Sequence, residues 1–245
     1  MQQYGLIGYP LSHSFSQKYF IEKFKRERIA GAEFLNFEIA EISKLAEIIK
    51  THPQLLGFAI TIPYKKSILQ FLSMCDDVVK QTGCCNCVKI SNKKLLGYNT
   101  DVIGFEKSFV KQLQAHHTKA LILGTGGAAA AAEFILKKLK MEYIFVSRTA
   151  SEEKNILNYK NLNEDILHNY TIIINCTPLG MYPNIDEAPQ IPYGLLTPKH
   201  YLFDMIYNPA KTKFLLGGEQ HSATIQNGNE MLVIQAEENL RIWNS

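Results

Sequence analysis

The chain has 245 residues, 46% hydrophobic and 20% charged, with a formal net charge of +3. That composition excludes a disordered chain and gives enough length to bury a core in one large or two modest domains. So small a charge excess gives no case for a nucleic-acid or anionic-membrane partner, and no stretch of bilayer-spanning length is free of charges or glycine breaks.

The N-terminus, MQQYGLIGYP, has neither a basic region nor a long apolar core. No secretory leader is visible, and a cytoplasmic location is expected. Residues 3–8 read as a short strand, broken by Gly8-Tyr9-Pro10. A hydroxyl-rich loop over 11–16 leads into a helix near 17–28, whose Tyr19, Phe20, Phe24 and Ile29 are spaced for one buried face. A strand over 33–39, a helix over 42–50 and a strand over 57–62 follow, the last stopped by Pro63. Tyr64-Lys65-Lys66 opens a helical stretch to about residue 72, and 78–82 reads as a short helix. Strands over 84–90 and 95–98 are joined by the Ser91-Asn92-Lys93 turn, and a helix spans 102–114. The five cysteines are Cys75, Cys84, Cys85, Cys87 and Cys176. Their spacing lacks paired zinc ligands, so they are read as small core hydrophobes and no metal is expected.

Residues 119–149, KALILGTGGAAAAAEFILKKLKMEYIFVSRT, change the picture. An apolar run over 120–123 ends in Gly124-Thr125-Gly126-Gly127, followed by an alanine-rich helical pattern and a second apolar run over 143–146. This is strand, turn, helix, strand at the length of one βαβ unit. Gly124 permits the tight turn, Gly126 lets a pyrophosphate approach the backbone, and Ala129 takes the small-residue place of G-x-G-x-x-A. The N–H groups of the first helical turn, from Gly127 and Ala128 onward, then face phosphates. A glycine triplet alone is weak evidence; its setting between two apolar runs carries the dinucleotide reading. The second strand ends in Ser147-Arg148-Thr149 instead of an acid, which suits a 2′-phosphate and favours NADP over NAD. Beyond it, 171–175 reads as a strand, the proline-bearing 182–194 as loop, 201–204 as a strand, 211–216 as a short helix and 230–243 as the last helix. Strand-helix alternation in the first ninety or so residues, then a fresh βαβ unit, predicts two α/β layers.

Several short segments, in order, resemble the signatures of the shikimate dehydrogenases. They are Gly8-Tyr-Pro-Leu-Ser-His-Ser14-Phe-Ser16, Thr61-Ile-Pro-Tyr-Lys65, Asn86, and Gly97-Tyr-Asn99-Thr100-Asp101-Val-Ile-Gly104. The nucleotide turn, Ser147-Arg148-Thr149, Asn175-Cys-Thr177-Pro-Leu-Gly180, Asp204-Met-Ile-Tyr207-Asn-Pro209 and the 228–236 segment complete the set. The chain departs from the family's common residues at Gln17 (proline), Cys87 (threonine), Tyr98 (aspartate) and Ser147 (asparagine).

The resemblance implies a two-domain α/β fold. An N-terminal substrate domain, residues 1–101 completed by 228–245, flanks a Rossmann-like NADP domain, residues 102–227, with the active site in the cleft between them. It implies NADPH-dependent, reversible reduction of 3-dehydroshikimate to shikimate, on the route to chorismate and the aromatic amino acids. Lys65 and Asp101 become the catalytic pair. Ser14 and Ser16 would hold the substrate carboxylate, Thr61, Asn86, Asp101 and Gln235 its ring hydroxyls, and Tyr207 would line the site. NADP would be held by Gly124, Gly126, Gly127, Ala128, Ala129, Ser147, Arg148, Thr149, Thr177, Gly228 and Met231. The expected partner is the small-molecule substrate, in a monomer or homodimer.

Against this stand plainer readings: Lys65 beside Lys66 as solvated charge, Ser14 and Ser16 as helix caps, His13 as a structural residue. Two rival functions are a quinate/shikimate dehydrogenase with relaxed cofactor use and a non-catalytic NADP-binding sensor.

Overall fold

Alternation of apolar runs and amphipathic helices builds the first half around β1 (Gln2–Gly8), α1 (Phe15–Arg26), β2 (Ala32–Glu38), α2 (Leu45–Thr51) and β3 (Leu55–Ile60). A two-residue β4 (Met74–Cys75), α3 (Asp77–Thr82), β5 (Cys87–Ser91) and β6 (Lys94–Tyr98) follow. This computed structural model describes residues 2–11, 14–153 and 155–245, so the reading of His13 lies outside the described residues. The sheet order is β2-β1-β3-β5-β6-β4. β1 pairs in parallel with β2 and β3, whereas β5 runs antiparallel to β3 and β6. Asn92 and Lys93, at φ 49° and 61°, supply the two left-handed positions of the β5–β6 hairpin turn.

One expectation fails here. Residues 62–66 form turns and Ser67–Phe71 a 3-10 helix, where the sequence pattern reads as an α-helix. The carbonyl of Lys65 accepts a hydrogen bond from Cys85 N at 2.8 Å, so a strand neighbour holds the acceptor that Leu69 would need. Leu69 N donates to Lys66 O instead, at 3.2 Å, which is the tighter spacing.

The second sheet is wholly parallel, as expected for strands buried on both faces. Its elements are α4 (Thr100–Phe109), β7 (Lys119–Leu123), α5 (Gly127–Lys138), β8 (Glu142–Ser147), β9 (Ile156–Asn158) and α6 (Glu164–Asn169). They continue with β10 (Ile172–Asn175), β11 (Tyr201–Asp204), α7 (Lys213–Gln220), β12 (Thr224–Gln226) and α8 (Asn229–Trp243). The order β12-β11-β10-β7-β8-β9 is the doubly wound arrangement, reversing between β7 and β10. Ile172, Ile173, Ile174, Leu121, Ile122 and Leu202 form its fully buried centre.

The chain divides into two compact units, Met1–Thr100 with Gln235–Ser245, and Asp101–Ile234. Both boundaries fall inside helices, α4 and α8. The last residues of α8 are core to the first unit. Trp243 is 3% exposed, stacks on Tyr4 with ring centroids 5.3 Å apart, and donates from Nε1 to Val88 O at 3.1 Å. On the same helix Glu237 pairs with the buried Lys23 of α1 at 2.9 Å and accepts from the Tyr19 hydroxyl.

In the second unit a buried carboxylate ties the strand ends together. Asp204 accepts from Thr212 Oγ1 at 2.5 Å, and from Asn175 Nδ2 and Ile206 N at 3.0 Å each. Asn175 Oδ1 in turn accepts from Thr177 N at 3.0 Å and Thr177 Oγ1 at 2.6 Å. Burial pushes the Asp204 carboxyl up to about 6, against the three hydrogen bonds that favour its ionised form.

Two outcomes are expected. Trp243→Ala removes a buried indole and its hydrogen bond, and should lower the unfolding free energy of the first unit by ~3–5 kcal/mol in chemical denaturation. A loss below about 1 kcal/mol, the ordinary size of a surface change, contradicts that anchoring. For Asp204 the unfolded carboxyl ionises near pH 4. The folded one keeps its proton to about 6, so stability is lost as pH rises through that interval, by up to roughly 3 kcal/mol. Asp204→Asn lacks this titration and should gain stability relative to the parent between about pH 4 and pH 7. A pH-independent difference in denaturation midpoints contradicts it.

Candidate active site

Strand direction decides which residues of the first unit meet. β1 and β3 are parallel, so their ends lie at one edge; β5 runs the other way and begins there; β6 returns and ends there. Gly8, Thr61, Asn86 and the segment after Tyr98 are therefore neighbours. Ile60 N donates to Asn86 O at 2.8 Å, Asn86 N to Tyr98 O at 3.1 Å, and Thr61 N to Ile7 O at 3.0 Å. Thr61 and Lys65 are half-buried, and the Lys65 carbonyl is held by Cys85, the residue before Asn86.

Ser14 and Ser16 open α1 at the same edge. Ser14 is the N-cap, its Oγ 3.5 Å from Gln17 N, while Ser16 is buried in the first turn. Gln17 supplies an N–H that a proline could not. Its side-chain oxygen also accepts from Asn36 Nδ2 at 3.0 Å.

Asn86 and Gln235 are joined through two residues that the sequence reading did not single out as site residues. Thr100 N donates to Asn86 Oδ1 at 2.7 Å, and Asn86 Nδ2 donates to Thr100 Oγ1 at 3.0 Å. Thr100 Oγ1 lies 2.6 Å from Asn239 Oδ1, and Asn239 Nδ2 donates to Gln235 Oε1 at 3.1 Å. The available signal for Asn239 was its spacing, four residues after Gln235 and so on the same helical face. Asp101 follows Thr100 directly and is buried in the first turn of α4, as the first residue of the second unit.

In the second unit the glycine turn lies beside the topological switch point. Gly124 has φ +96°, and a Cβ there would stand 3.0 Å from Thr177 Cγ2, so both backbone shape and space call for glycine. Gly126 caps α5 without a side chain, and a Cβ on it would meet nothing within 4 Å. That open space lies against the N–H groups of the first helical turn, Gly127 and Ala128 included, whereas Ala129 is packed at 1% exposure. β8 ends at Ser147, with Arg148 and Thr149 exposed beyond it, and Asn158 Nδ2 fixes the Arg148 carbonyl at 2.6 Å.

Tyr207 is half-buried on the segment after β11. At the start of α8, a Cβ on Gly228 would lie 2.3 Å from Met205 O, so that backbone approach admits glycine alone. Gly228 N donates to Ile206 O at 3.0 Å, and Met231 is buried. The donor set fits a dinucleotide with a 2′-phosphate: open glycine backbone at a helix start, and an arginine at the end of β8 instead of an acid. Burial pushes the Cys85 thiol up to about 12 and raises Cys87 and Cys176 as well, so none of these three is an activated nucleophile.

Residues 6–88 match the family profile described as the shikimate dehydrogenase substrate binding domain. The shikimate dehydrogenase (NADP(+)) of Clostridium beijerinckii is 34% identical, over 99% of this chain and 92% of its own length. That of Methanococcus maripaludis is 36% identical, over 98% and 90%. A crystal structure of a shikimate dehydrogenase in complex with NADP+ matches with a TM-score of 0.87 at 30% identity, covering 99% of this chain and 90% of that one. With likeness of this extent in both sequence and fold, the chain belongs to the shikimate dehydrogenase family.

Proposed function

We propose that the protein catalyses the reversible, NADP-dependent reduction of 3-dehydroshikimate to shikimate, an oxidoreductase step in the biosynthesis of chorismate and the aromatic amino acids. The full-length likeness to enzymes of that name carries this reading. Five cysteines without a disulfide suit a reducing compartment, and we place the enzyme in the cytoplasm as a monomer or homodimer.

When bound, the nicotinamide cofactor supplies the hydride. The residues assigned to hold it are Gly124, Gly126, Gly127, Ala128, Ala129, Ser147, Arg148, Thr149, Thr177, Gly228 and Met231. The rest of the work is positioning and one proton. Ser14 and Ser16 receive the substrate carboxylate with neutral donors, so geometry sets that contact. Thr61, Asn86 and Gln235 bond the ring hydroxyls, and Tyr207 lines the ring. As hydride arrives, negative charge develops on the substrate oxygen; the Lys65 ammonium neutralises it and gives up a proton, and in the reverse direction the amine takes it back. Asp101 orients the reacting hydroxyl.

A proton-transfer role is worth ~10²–10⁴-fold in rate. Lys65→Ala should cut kcat by that order and change the shikimate KM little, because the group acts chiefly in the transition state. Wild-type kcat in that variant rules out the mechanism. Arg148→Ala should raise the NADP KM roughly ten- to hundredfold, the equivalent of a charged hydrogen bond of ~1.5–3 kcal/mol, with NAD use nearly unchanged. Equal losses with both cofactors would make Arg148 a structural residue.

A further inference from the structure

In the second unit, two separate loops converge on one carboxylate oxygen. Asp204 closes β11 and is wholly buried, and its Oδ1 accepts from Asn175 Nδ2 and from Ile206 N, each at 3.0 Å. The first bond leads to Thr177. Asn175 Oδ1 receives both the N–H and the hydroxyl of Thr177, at 3.0 and 2.6 Å, and Thr177 packs against the glycine turn at Gly124. The second bond leads to Gly228. Ile206 O accepts from Gly228 N at 3.0 Å, and the Met205 carbonyl leaves no room for a Cβ on Gly228. Backbone N–H groups can only donate, so Asn175 must meet Thr177 with its oxygen and Asp204 with its nitrogen. The other carboxylate oxygen, Oδ2, meets Thr212 Oγ1 at 2.5 Å and so serves a different segment, the N-cap of α7. Any proton on this carboxyl belongs on Oδ2, because a hydroxyl can accept it and two N–H donors cannot.

Strand order says which half of a dinucleotide this concerns. Each half of a doubly wound sheet takes one mononucleotide, and Arg148, suited to a 2′-phosphate, follows β8 in the half built on β7, β8 and β9. β10, β11 and β12 form the other half, which is left for the nicotinamide nucleotide. We propose that Asp204 is a positioning residue for the nicotinamide half of the cofactor, its one oxygen fixing the loops of Thr177 and Gly228 to each other. The inference rests on the cofactor assignment given above and adds to it a residue that, being wholly buried, touches no ligand itself. Without the carboxylate, the Asn175 amide and the Ile206 N–H lose their shared acceptor, and a buried unpaired donor is relieved only by moving. Among the described residues, no hydrogen bond ties the carboxylate to the glycine turn before α5 or to Arg148. The 2′-phosphate half therefore keeps its geometry when the other is loosened.

Calorimetric binding without substrate separates this role from a general loss of structure. Asp204→Ala should raise the Kd of NADP and that of NAD by the same factor, roughly ten- to hundredfold. Adenosine 2′,5′-bisphosphate, a probe of the other half alone, should bind this variant as tightly as it binds the parent. Asp204→Asn keeps an oxygen facing the two N–H donors and offers its nitrogen to Thr212, so its NADP affinity should stay near the parent's. Thr212→Val removes only the Oδ2 partner; its melting temperature should fall while its NADP Kd holds. Should Asp204→Ala fail to fold, Asn175→Leu, of similar size, cuts the link to Thr177 alone and should weaken NADP in the same selective way. Equal losses for NADP and the bisphosphate, an NADP Kd that follows melting temperature across the set, or an unchanged NADP Kd in the alanine variant overturns the proposal. A parent that binds NADP but does not turn over shikimate refutes the functional reading instead, and leaves all of these binding outcomes in force.

Discussion

In each unit, one buried asparagine at the end of a central strand fixes the loop beside it by accepting a hydrogen bond from a backbone N–H. Asn86, before β5, accepts from Thr100 N, and Asn175, closing β10, accepts from Thr177 N. Each also donates from its amide nitrogen: Asn86 to Oγ1 of the same Thr100, Asn175 to the Asp204 carboxylate. Leaving such a group unpaired costs about 1–3 kcal/mol, so the loops at these strand ends cannot drift independently.

The two units meet their ligands with different physics. The end of the first sheet proposed to take the substrate is furnished with amides and hydroxyls, groups that discriminate by direction and distance. The nucleotide end of the second offers backbone N–H groups at a helix start and an arginine, which suit phosphate charge. Lys65 is the exception in the first unit: in the proposed mechanism it is the group whose charge changes during turnover. Asp204, although buried and raised, faces donors alone and serves geometry.

Much of this was legible in the sequence, and the failures have physical causes. The glycine turn, the buried strands of the second sheet and the C-terminal helix carry long or strongly patterned signals. β9 and β12 have three residues each and β4 two, too short for alternation to register, and they are found only because a longer neighbour offers them an edge. The stretch after Tyr64 carries helical spacing but forms a 3-10 helix, since Cys85 occupies the Lys65 carbonyl, a tertiary effect invisible in local pattern. Residues with family signatures could be named as candidates; Asn239 could not, because its contact with Thr100 joins positions far apart in sequence.

The most direct measurement is steady-state turnover of the purified protein with shikimate and with quinate, each against NADP and NAD. The account predicts turnover of shikimate with NADP, at a kcat/KM at least roughly tenfold above the same reaction with NAD, as one charged hydrogen bond from Arg148 would give. No turnover of shikimate, or a preference for NAD, would contradict it.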